Sequence, residues 1–398
     1  MNLPDHYDAD VVVIGSGPAG STAAYFLAKA GVSVILLDKA EFPREKVCGD
    51  GLISDTMAML KEMGCYDLIL QKAHEISTMR FYSAKGVFFD VNSPCLTLAR
   101  RDFDAILHTH ARQAGAVFRV SHVRDLVPDD EGVTVLGEGA QHLCRCRYAI
   151  IATGANIGLL RRLGMVTKEK PGAVAIRFYA ESHHQQTELS IQFLPGNRHH
   201  MSYAWIFPLS QSTYNIGVGT FFQKENSTQP DLKKMLNDFL GSSDAARSIM
   251  ASCVSKTNPT ASQLRTRLEG AKMQSGRVLV AGEAIGTTFP LTGEGIGKAM
   301  ESAKIASDVI ISCHQRQDIS VLMTYQTKVR DLLESKYHGY MLGERWMKWS
   351  WLSEAVCRLA SKSSSVRARI TDIIAERVDL KEKLTVFNVV KTVLKSLK

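Results

Sequence analysis

Three short runs, Val11-Val12-Val13-Ile14, Val32–Leu37 and Tyr148–Ala152, are apolar at almost every position, as strands buried on both faces require. Between the first two, Ala23, Ala24, Leu27 and Ala28 recur at helical spacing, and Gly31 stops the helix. A strand–helix–strand unit is therefore expected over Asp10–Lys39. Beyond it the pattern predicts a helix over about 54–63, short strands near 78–82, 86–91 and 95–99, and a helix opening at Arg100 with Phe103, Ile106, Leu107 and Ala111 on one face. Residues 117–124, 133–136 and 142–147 read as a small meander leading into 148–152.

Between Gly172 and Phe222 the period shifts toward 2. AVAIRFYA, LSIQFL, MSYAWIFPLS and YNIGVGTFF are four candidate strands, broken by turn residues and expected to form an antiparallel sheet. Helical patterns follow at about 231–240 and 245–251. RVLVAGEA then returns to a buried strand, and Gly295–Ser312 reads as a long helix. The fold class expected is α/β: a Rossmann-like nucleotide-binding domain, an inserted antiparallel β-sheet substrate domain and a helical C-terminal tail. The nucleotide-binding domain would be discontinuous, over 1–75, 95–170 and 270–320. The sheet domain would take 76–94 and 171–269, and the basic helical region 321–398. No internal repeat is visible, and the one low-complexity stretch is Ser361–Ser365.

Composition changes this picture little, because 45% hydrophobic and 22% charged residues in 398 are ordinary for a globular chain. No uninterrupted apolar run approaches the ~20 residues that span a bilayer. The N-terminus lacks a basic stretch followed by an apolar core, so no secretory signal is expected. Eight scattered cysteines suit a reduced, cytoplasmic compartment. Cys144 and Cys146 form a C-x-C pair with no second pair near it, so buried thiols are expected rather than zinc.

Charge is more telling. The net charge is +8, and from Arg330 onward 14 Lys/Arg stand against 8 Asp/Glu, so most of the excess lies in the last 69 residues. Trp346, Trp349 and Trp351 cluster there beside Arg345 and Lys348, a composition suited to a membrane interface. In 385–398 Val386, Val390, Val393 and Leu397 fall on one helical face, and Lys391, Lys395 and Lys398 on another. The expectation is either a helix packed on the protein's own body or peripheral membrane contact through this tail. No recognition module accompanies the charge, so no nucleic-acid partner is expected.

The candidate chemistry begins in the first unit. Gly15, Gly17 and Gly20 stand at G-x-G-x-x-G spacing between strand and helix, with Pro18 and Ala19 between the last two and Asp38-Lys39 at the second strand's end. The glycines permit the tight turn, the approach of a pyrophosphate and close helix packing, while the acid would take ribose hydroxyls. A dinucleotide is implied. A second glycine-studded loop runs from Gly282-Glu283 to Gly297 and opens a helix, presenting N–H groups to an anion such as a reduced flavin.

GSGPAG, K-x-C-G-D-G-L (Lys46–Leu52), R-x-x-F-D (Arg100–Asp104), Y-x-W-x-F-P (Tyr203–Pro208) and PLTGEGIGKAM (Pro290–Met300) together resemble the geranylgeranyl reductase family, FAD enzymes built like aromatic hydroxylases. The matching segments span about residues 8 to 315. The resemblance implies that Gly15, Gly17, Gly20 and Asp38 hold the ADP half of FAD and that Arg100 reaches the cofactor. It places Gly282-Glu283 where the family has Gly-Asp, with Thr292, Gly293, Glu294, Gly295 and the helix start at Ile296 beside the flavin ring. Cys48 and Gly49 would line the ring's pocket, with Cys48, Tyr203 and Trp205 as catalytic candidates and NAD(P)H as a candidate electron donor. Cys48 would give a proton or gate the site; its rival role is a small buried hydrophobe. Lys46 could depress the thiol's pKa or bridge at the surface.

Two departures matter. Aromatic hydroxylases of this class carry Asp-Gly after the third long strand, where this chain has Thr153-Gly154. Flavin halogenases carry W-x-W-x-I-P where this chain has Tyr203-Ala204-Trp205-Ile206-Phe207-Pro208. A reductase of isoprenoid or related lipid double bonds is the reading expected, acting in the cytoplasm at the inner face of the membrane on a hydrophobic small-molecule or lipid substrate. The alternatives are a flavin monooxygenase of an aromatic or polyketide-like substrate, and a non-catalytic flavin protein binding lipid or a partner. His183-His184 and His199-His200 are expected as exposed turn residues without metal, and Asp129-Asp130-Glu131 as a solvated turn. The sequence is silent on oligomeric state.

Overall fold

The computed structural model describes residues 7–195, 200–222 and 230–377. His199 and the amphipathic segment 385–398 lie outside them. Strands apolar on both faces can be stable only between two covering layers. Accordingly Val278–Val280, His142–Ile151, Ala9–Ile14, Val34–Asp38 and Val117–Val120 pair in that order as a parallel sheet, with Val11, Val12 and Val13 fully buried. One face is covered by the helices Pro18–Lys29, Arg100–Gln113 and Ile296–Arg316; the Ser307 hydroxyl of the last donates to the Ala23 carbonyl of the first at 3.2 Å.

Only the last strand of the expected meander is continuous with the strand after it; its first, Val117–Val120, pairs parallel with Val34–Asp38 instead, and Asp125–Pro128 takes its place beside Val133–Leu136. His142–Ile151 is one ten-residue strand whose N-terminal half pairs antiparallel with Val133–Leu136 and whose C-terminal half pairs with Ala9–Ile14. No turn residue interrupts it at Arg147-Tyr148; only its neighbours change.

The second sheet has nine strands. Its order runs Cys253–Lys256, Ala173–Ser182, Thr213–Phe222, His200–Pro208, Leu189–Phe193, His74–Tyr82, Phe88–Thr97, Gly51–Leu52, with Thr260–Leu264 also on Ala173–Ser182. It is antiparallel except at one seam, where Leu189–Phe193 runs parallel to His74–Tyr82 and joins the 74–97 hairpin to the four-stranded block. The strands expected at 86–91 and 95–99 are a single strand, Phe88–Thr97. Pro94 lies where the ladder slips between Ile76 and Thr78, and an irregularity of that kind is where a strand tolerates a residue with no N–H to donate. Cys253–Lys256 and Thr260–Leu264 went unpredicted because they are mostly exposed and lack apolar alternation; the ladder to Ala173–Ser182 makes them strands.

The C-terminal helices are part of this body. Thr324–Met347 buries Tyr325, Val329, Leu333 and Tyr337, one residue per helical turn, in the same core as the parallel sheet. The Tyr325 hydroxyl donates to the Val280 carbonyl at 2.8 Å, and that of Tyr337 to the Thr287 carbonyl. Ser350–Lys362 and Ser364–Ile374, with Ser363 capping the second, lie over strand Phe88–Thr97 through Cys357, Ala360, Ile370 and Ile374. The fully buried Lys298 fastens the end of this roof, with Glu376 at 2.8 Å and Asp55 at 3.1 Å. Among the described residues no helix is long and apolar enough to cross a membrane.

Candidate functional site

The glycine turn is explained by sterics. Gly15 has φ +99°, and a Cβ there would stand 2.4 Å from the Ala152 carbonyl oxygen; a Cβ on Gly20 would stand 1.7 Å from the Gly15 oxygen. A Cβ on Gly17 would meet nothing closer than an Arg44 nitrogen at 3.5 Å. The space before the helix N-terminus is therefore open, and it belongs to a cavity of about 960 Å³ that also takes in Pro18, Ala19, Asp38 and Lys39. Open space at the positive end of a helix, free of side chains, fits the pyrophosphate of a bound FAD. Asp38 holds the turn as well as facing the cavity, since its carboxylate accepts the Ser16 N–H at 2.8 Å and the Ala40 N–H at 3.0 Å. Gly20 and Gly282 do not line the cavity. Gly20 closes the helix onto the turn, and Gly282, φ +73°, leaves room for the Ala19 methyl.

Arg100 lines the cavity, but its Nε and Nη2 are committed to Asp104 at 2.6 and 2.9 Å. Its backbone N–H donates to Asp50 at 3.2 Å. It is Arg100, and not Lys46, whose charge opposes the effect of burial on the Cys48 thiol. Burial dominates and raises that pKa above the ordinary thiol value, so Cys48 carries its proton at neutral pH. Cys48 and Gly49 face the cavity, as expected.

The residue that organises this corner was not singled out from the sequence. Asn215, fully buried, donates through Nδ2 to the Cys48 carbonyl and to the Asp50 carboxylate, each at 2.7 Å, and accepts the Trp205 Nε1–H at 2.9 Å. Its one sequence signal is a polar amide inside the apolar strand Tyr214–Phe222. Tyr179 adds a hydroxyl to Asp50 at 2.8 Å. Asp50 itself takes φ +68°, a region that side chains seldom adopt, and these bonds hold it there.

Burial raises the Asp50 pKa to about 6, against the lowering effect of Tyr179 and Asn215. Because the folded value lies above the unfolded one, stability is greatest below about pH 4 and is lost as pH rises through 6. The shift corresponds to roughly 3 kcal/mol. Asp50→Asn should lack this component: in urea unfolding, the wild-type stability measured relative to that variant should fall by roughly 2 kcal/mol between pH 4 and pH 6. A parallel pH dependence in the two proteins would contradict the assignment.

The Pro290–Gly295 loop closes the cavity from the other side. Gly293 has φ +74°, and a Cβ there would meet the Tyr203 hydroxyl at 2.6 Å; that hydroxyl donates to the Thr292 carbonyl at 2.7 Å. Glu283, Glu294, Gly295 and Ile296 line the same space. Burial, reinforced by Asp55 and Glu376 and opposed by Lys298, holds the Glu294 carboxyl protonated well above the usual carboxylate range. Trp205 lies across its neighbouring strand because Gly217 has no side chain; a Cβ there would come within 2.3 Å of the indole. Tyr203 and Trp205 thus stand between the cofactor end and a second wing of the cavity. Phe81, Phe89, Ile191, Phe193, Ile370 and Ile374 line that wing with apolar side chains. These residues come from four separate segments that only the folded chain brings together.

Other candidates fall elsewhere. His183 is exposed, whereas His200, expected in an exposed turn, is buried at the start of its strand with its ring against Phe222. Asp129 does more than face solvent: it accepts both Arg145 Nη groups and the Glu131 and Gly132 N–H groups, which pull its pKa far down. Among the described residues no group of His, Cys, Asp or Glu is arranged to hold a metal.

The FAD binding domain family matches residues 8–335. The chain is 30% identical over 334 residues to digeranylgeranylglycerophospholipid reductase 2 of Methanopyrus kandleri, covering 80% of this chain and 81% of that protein. It is 29% identical over 334 residues to a menaquinone reductase of Mycolicibacterium smegmatis, covering 76% of each. Among solved structures, a geranylgeranyl bacteriochlorophyll reductase-like protein from Thermoplasma acidophilum superimposes with a TM-score of 0.77 at 18% identity, covering 98% of this chain and 99% of that one.

Proposed function

The chain belongs to the geranylgeranyl reductase family of FAD-dependent oxidoreductases, and on that premise we propose that it reduces carbon–carbon double bonds in the isoprenoid chain of a lipid. The observation that carries this reading is the apolar wing, continuous past Tyr203 and Trp205 with the glycine-walled end that fits FAD. Long hydrocarbon suits such a wing, since each buried methylene contributes about 0.8 kcal/mol. The relatives named for a digeranylgeranyl lipid and for menaquinone point the same way.

Reduced FAD supplies a hydride when bound. The chain's own residues must do the rest. Phe81, Phe89 and Phe193 hold the alkene chain and exclude water. Tyr203, tethered to Thr292, and Trp205, tethered to Asn215, fix the wall between the two ends. Cys48 holds a proton at Sγ for the carbon that does not receive hydride, and the Arg100 guanidinium beside it eases formation of the thiolate left behind. Glu294, kept neutral, can donate a hydrogen bond from its carboxyl O–H and adds no negative charge to the pocket.

The test is anaerobic. Protein whose flavin has been reduced with dithionite or with NAD(P)H, the proposed donor, should be reoxidised by a prenyl lipid, and each reduced double bond should add two mass units to it. Product that forms only with oxygen would establish the monooxygenase reading instead. Cys48→Ala should keep its FAD and lose about 10²-fold in turnover. An unchanged rate would remove Cys48 from the reaction.

A further inference from the structure

The turn between the helices Thr324–Met347 and Ser350–Lys362 has two faces. Inward, Trp346, Met347 and Leu352 line the cavity, and Val356 follows one turn later. Outward, Trp349 is 43% and Trp351 69% exposed, the largest side chains among the exposed hydrophobic residues, with the Lys348 ammonium 5.3 Å from the Trp349 ring centre. At this corner, residues that line the cavity and residues exposed to the outside alternate between positions 346 and 352.

The helix that follows is amphipathic in register with the turn. Ser353, Cys357 and Ala360 are buried against strand Phe88–Thr97. Trp351, Arg358 and Lys362, spaced i, i+7, i+11, fall on the opposite face and are exposed. Arg345 is also exposed, at the end of the preceding helix. Residues 345–377 carry seven Lys/Arg against three Asp/Glu. Exposed indoles flanked by basic residues suit the boundary between acyl chains and anionic headgroups. The rings bury apolar area there, and each cation near such a surface adds about 1 kcal/mol. Two exposed tryptophans incur a solvation cost that no fold requirement explains, since neither contributes to the core.

We propose that the corner formed by Trp349, Trp351, Lys348, Arg358 and Lys362 docks on an anionic bilayer surface and sets the Trp346–Leu352 wall of the cavity against the acyl layer. The substrate would then pass from membrane to cavity without crossing water. This deepens the lipid-reductase reading and rests on it for its purpose. The contact is local and is made by the turn.

Docking is measured on the full-length, FAD-loaded protein, without substrate or turnover, by co-sedimentation with phosphatidylcholine/phosphatidylglycerol vesicles and with phosphatidylcholine vesicles alone. Wild type should bind the anionic vesicles, and Trp349→Ser/Trp351→Ser should bind about tenfold more weakly with an unchanged melting temperature. Equal binding by the double variant, or equal binding of wild type to both vesicle types, would overturn the proposal. So would loss of binding on removing residues 378–398 if the double variant binds normally. A second readout does not depend on the Ser variants folding. Brominated lipid should quench wild-type tryptophan fluorescence, and Trp349→Phe/Trp351→Phe should abolish that quenching; quenching that persists would place the contact elsewhere. Turnover of a detergent-dispersed prenyl lipid reports on the reductase reading separately. A protein that docks through this corner but reduces no lipid would defeat that reading and leave the surface standing.

Discussion

Gly20→Ala should destabilise the protein by about 3 kcal/mol or more and yield a chain that retains little FAD, whereas Gly17→Ala should melt with the FAD-free wild type and still lose the cofactor. The two glycines differ only in what faces them. At Gly20 the added methyl would sit 1.7 Å from the Gly15 oxygen and 2.8 Å from the Gly15 carbonyl carbon. Both are backbone atoms of the turn, which cannot rotate aside as a side chain would. Relief requires the helix Pro18–Lys29 to lift from a sheet whose strands are fully buried beneath it. At Gly17 the methyl would lie in ordinary contact with a movable arginine nitrogen, so the chain tolerates it. The same methyl would fill the space in front of the helix N-terminus where a phosphate must come close. Thermal unfolding and the ratio of 450 to 280 nm absorbance after gel filtration separate the two effects. A Gly17→Ala protein with a full complement of FAD would show that the pyrophosphate does not pass that point.

Asn215→Leu should cost about 3–5 kcal/mol and most of the turnover, although the residue has no reactive group. Its amide satisfies three buried partners at once, the Cys48 carbonyl, the Asp50 carboxylate and the Trp205 N–H. Leucine matches the volume and satisfies none. Asp50 would keep only Tyr179 and the Arg100 N–H, so its carboxyl, already raised to about 6, should rise further. Trp205→Phe removes one donor while keeping a ring, so it should cost about 1 kcal/mol. Coupling is the decisive measurement. Combined with Asp50→Asn, which removes the charge that Asn215 stabilises, Asn215→Leu should cost clearly less than the sum of the two single variants. Additive losses would mean that the residues stabilise the fold independently and that no network exists.

The glycine turn and the Asn215 hub differ in how visible they are along the chain. Gly15, Gly17, Gly20 and Asp38 fall within 24 residues, and their constraints are local: a positive φ, a helix start, a strand end. Such constraints leave a spacing that can be read directly. Asn215 answers to Cys48 and Asp50, more than 160 residues away. Nothing in its own neighbourhood distinguishes it from any polar residue of a strand. The parallel seam between Leu189–Phe193 and His74–Tyr82 was hidden for a similar reason. Each strand has the alternation of a half-buried strand, and alternation does not encode which strand lies beside it or in which direction. The edge strands 253–256 and 260–264 carried no apolar pattern at all. Titration behaviour belongs to the same class: enclosure keeps Cys48 protonated and raises Asp50 to about 6, against the lowering effects of Arg100 on the first and of Tyr179 and Asn215 on the second, residues far away along the chain.

By itself the sequence determined the doubly covered strands, the nucleotide turn and the family's motifs, because each depends on residues close enough along the chain to impose their geometry on one another. Only the tertiary structure decided that the 74–97 hairpin, the four-stranded block and the helices Ser350–Ile374 enclose one apolar wing. It also decided that Asn215 ties that wing's inner wall to the Cys48 corner, and that the Trp349–Trp351 turn stands outside it. Those arrangements arise from burying distant surfaces against each other, a long-range effect that no local spacing records.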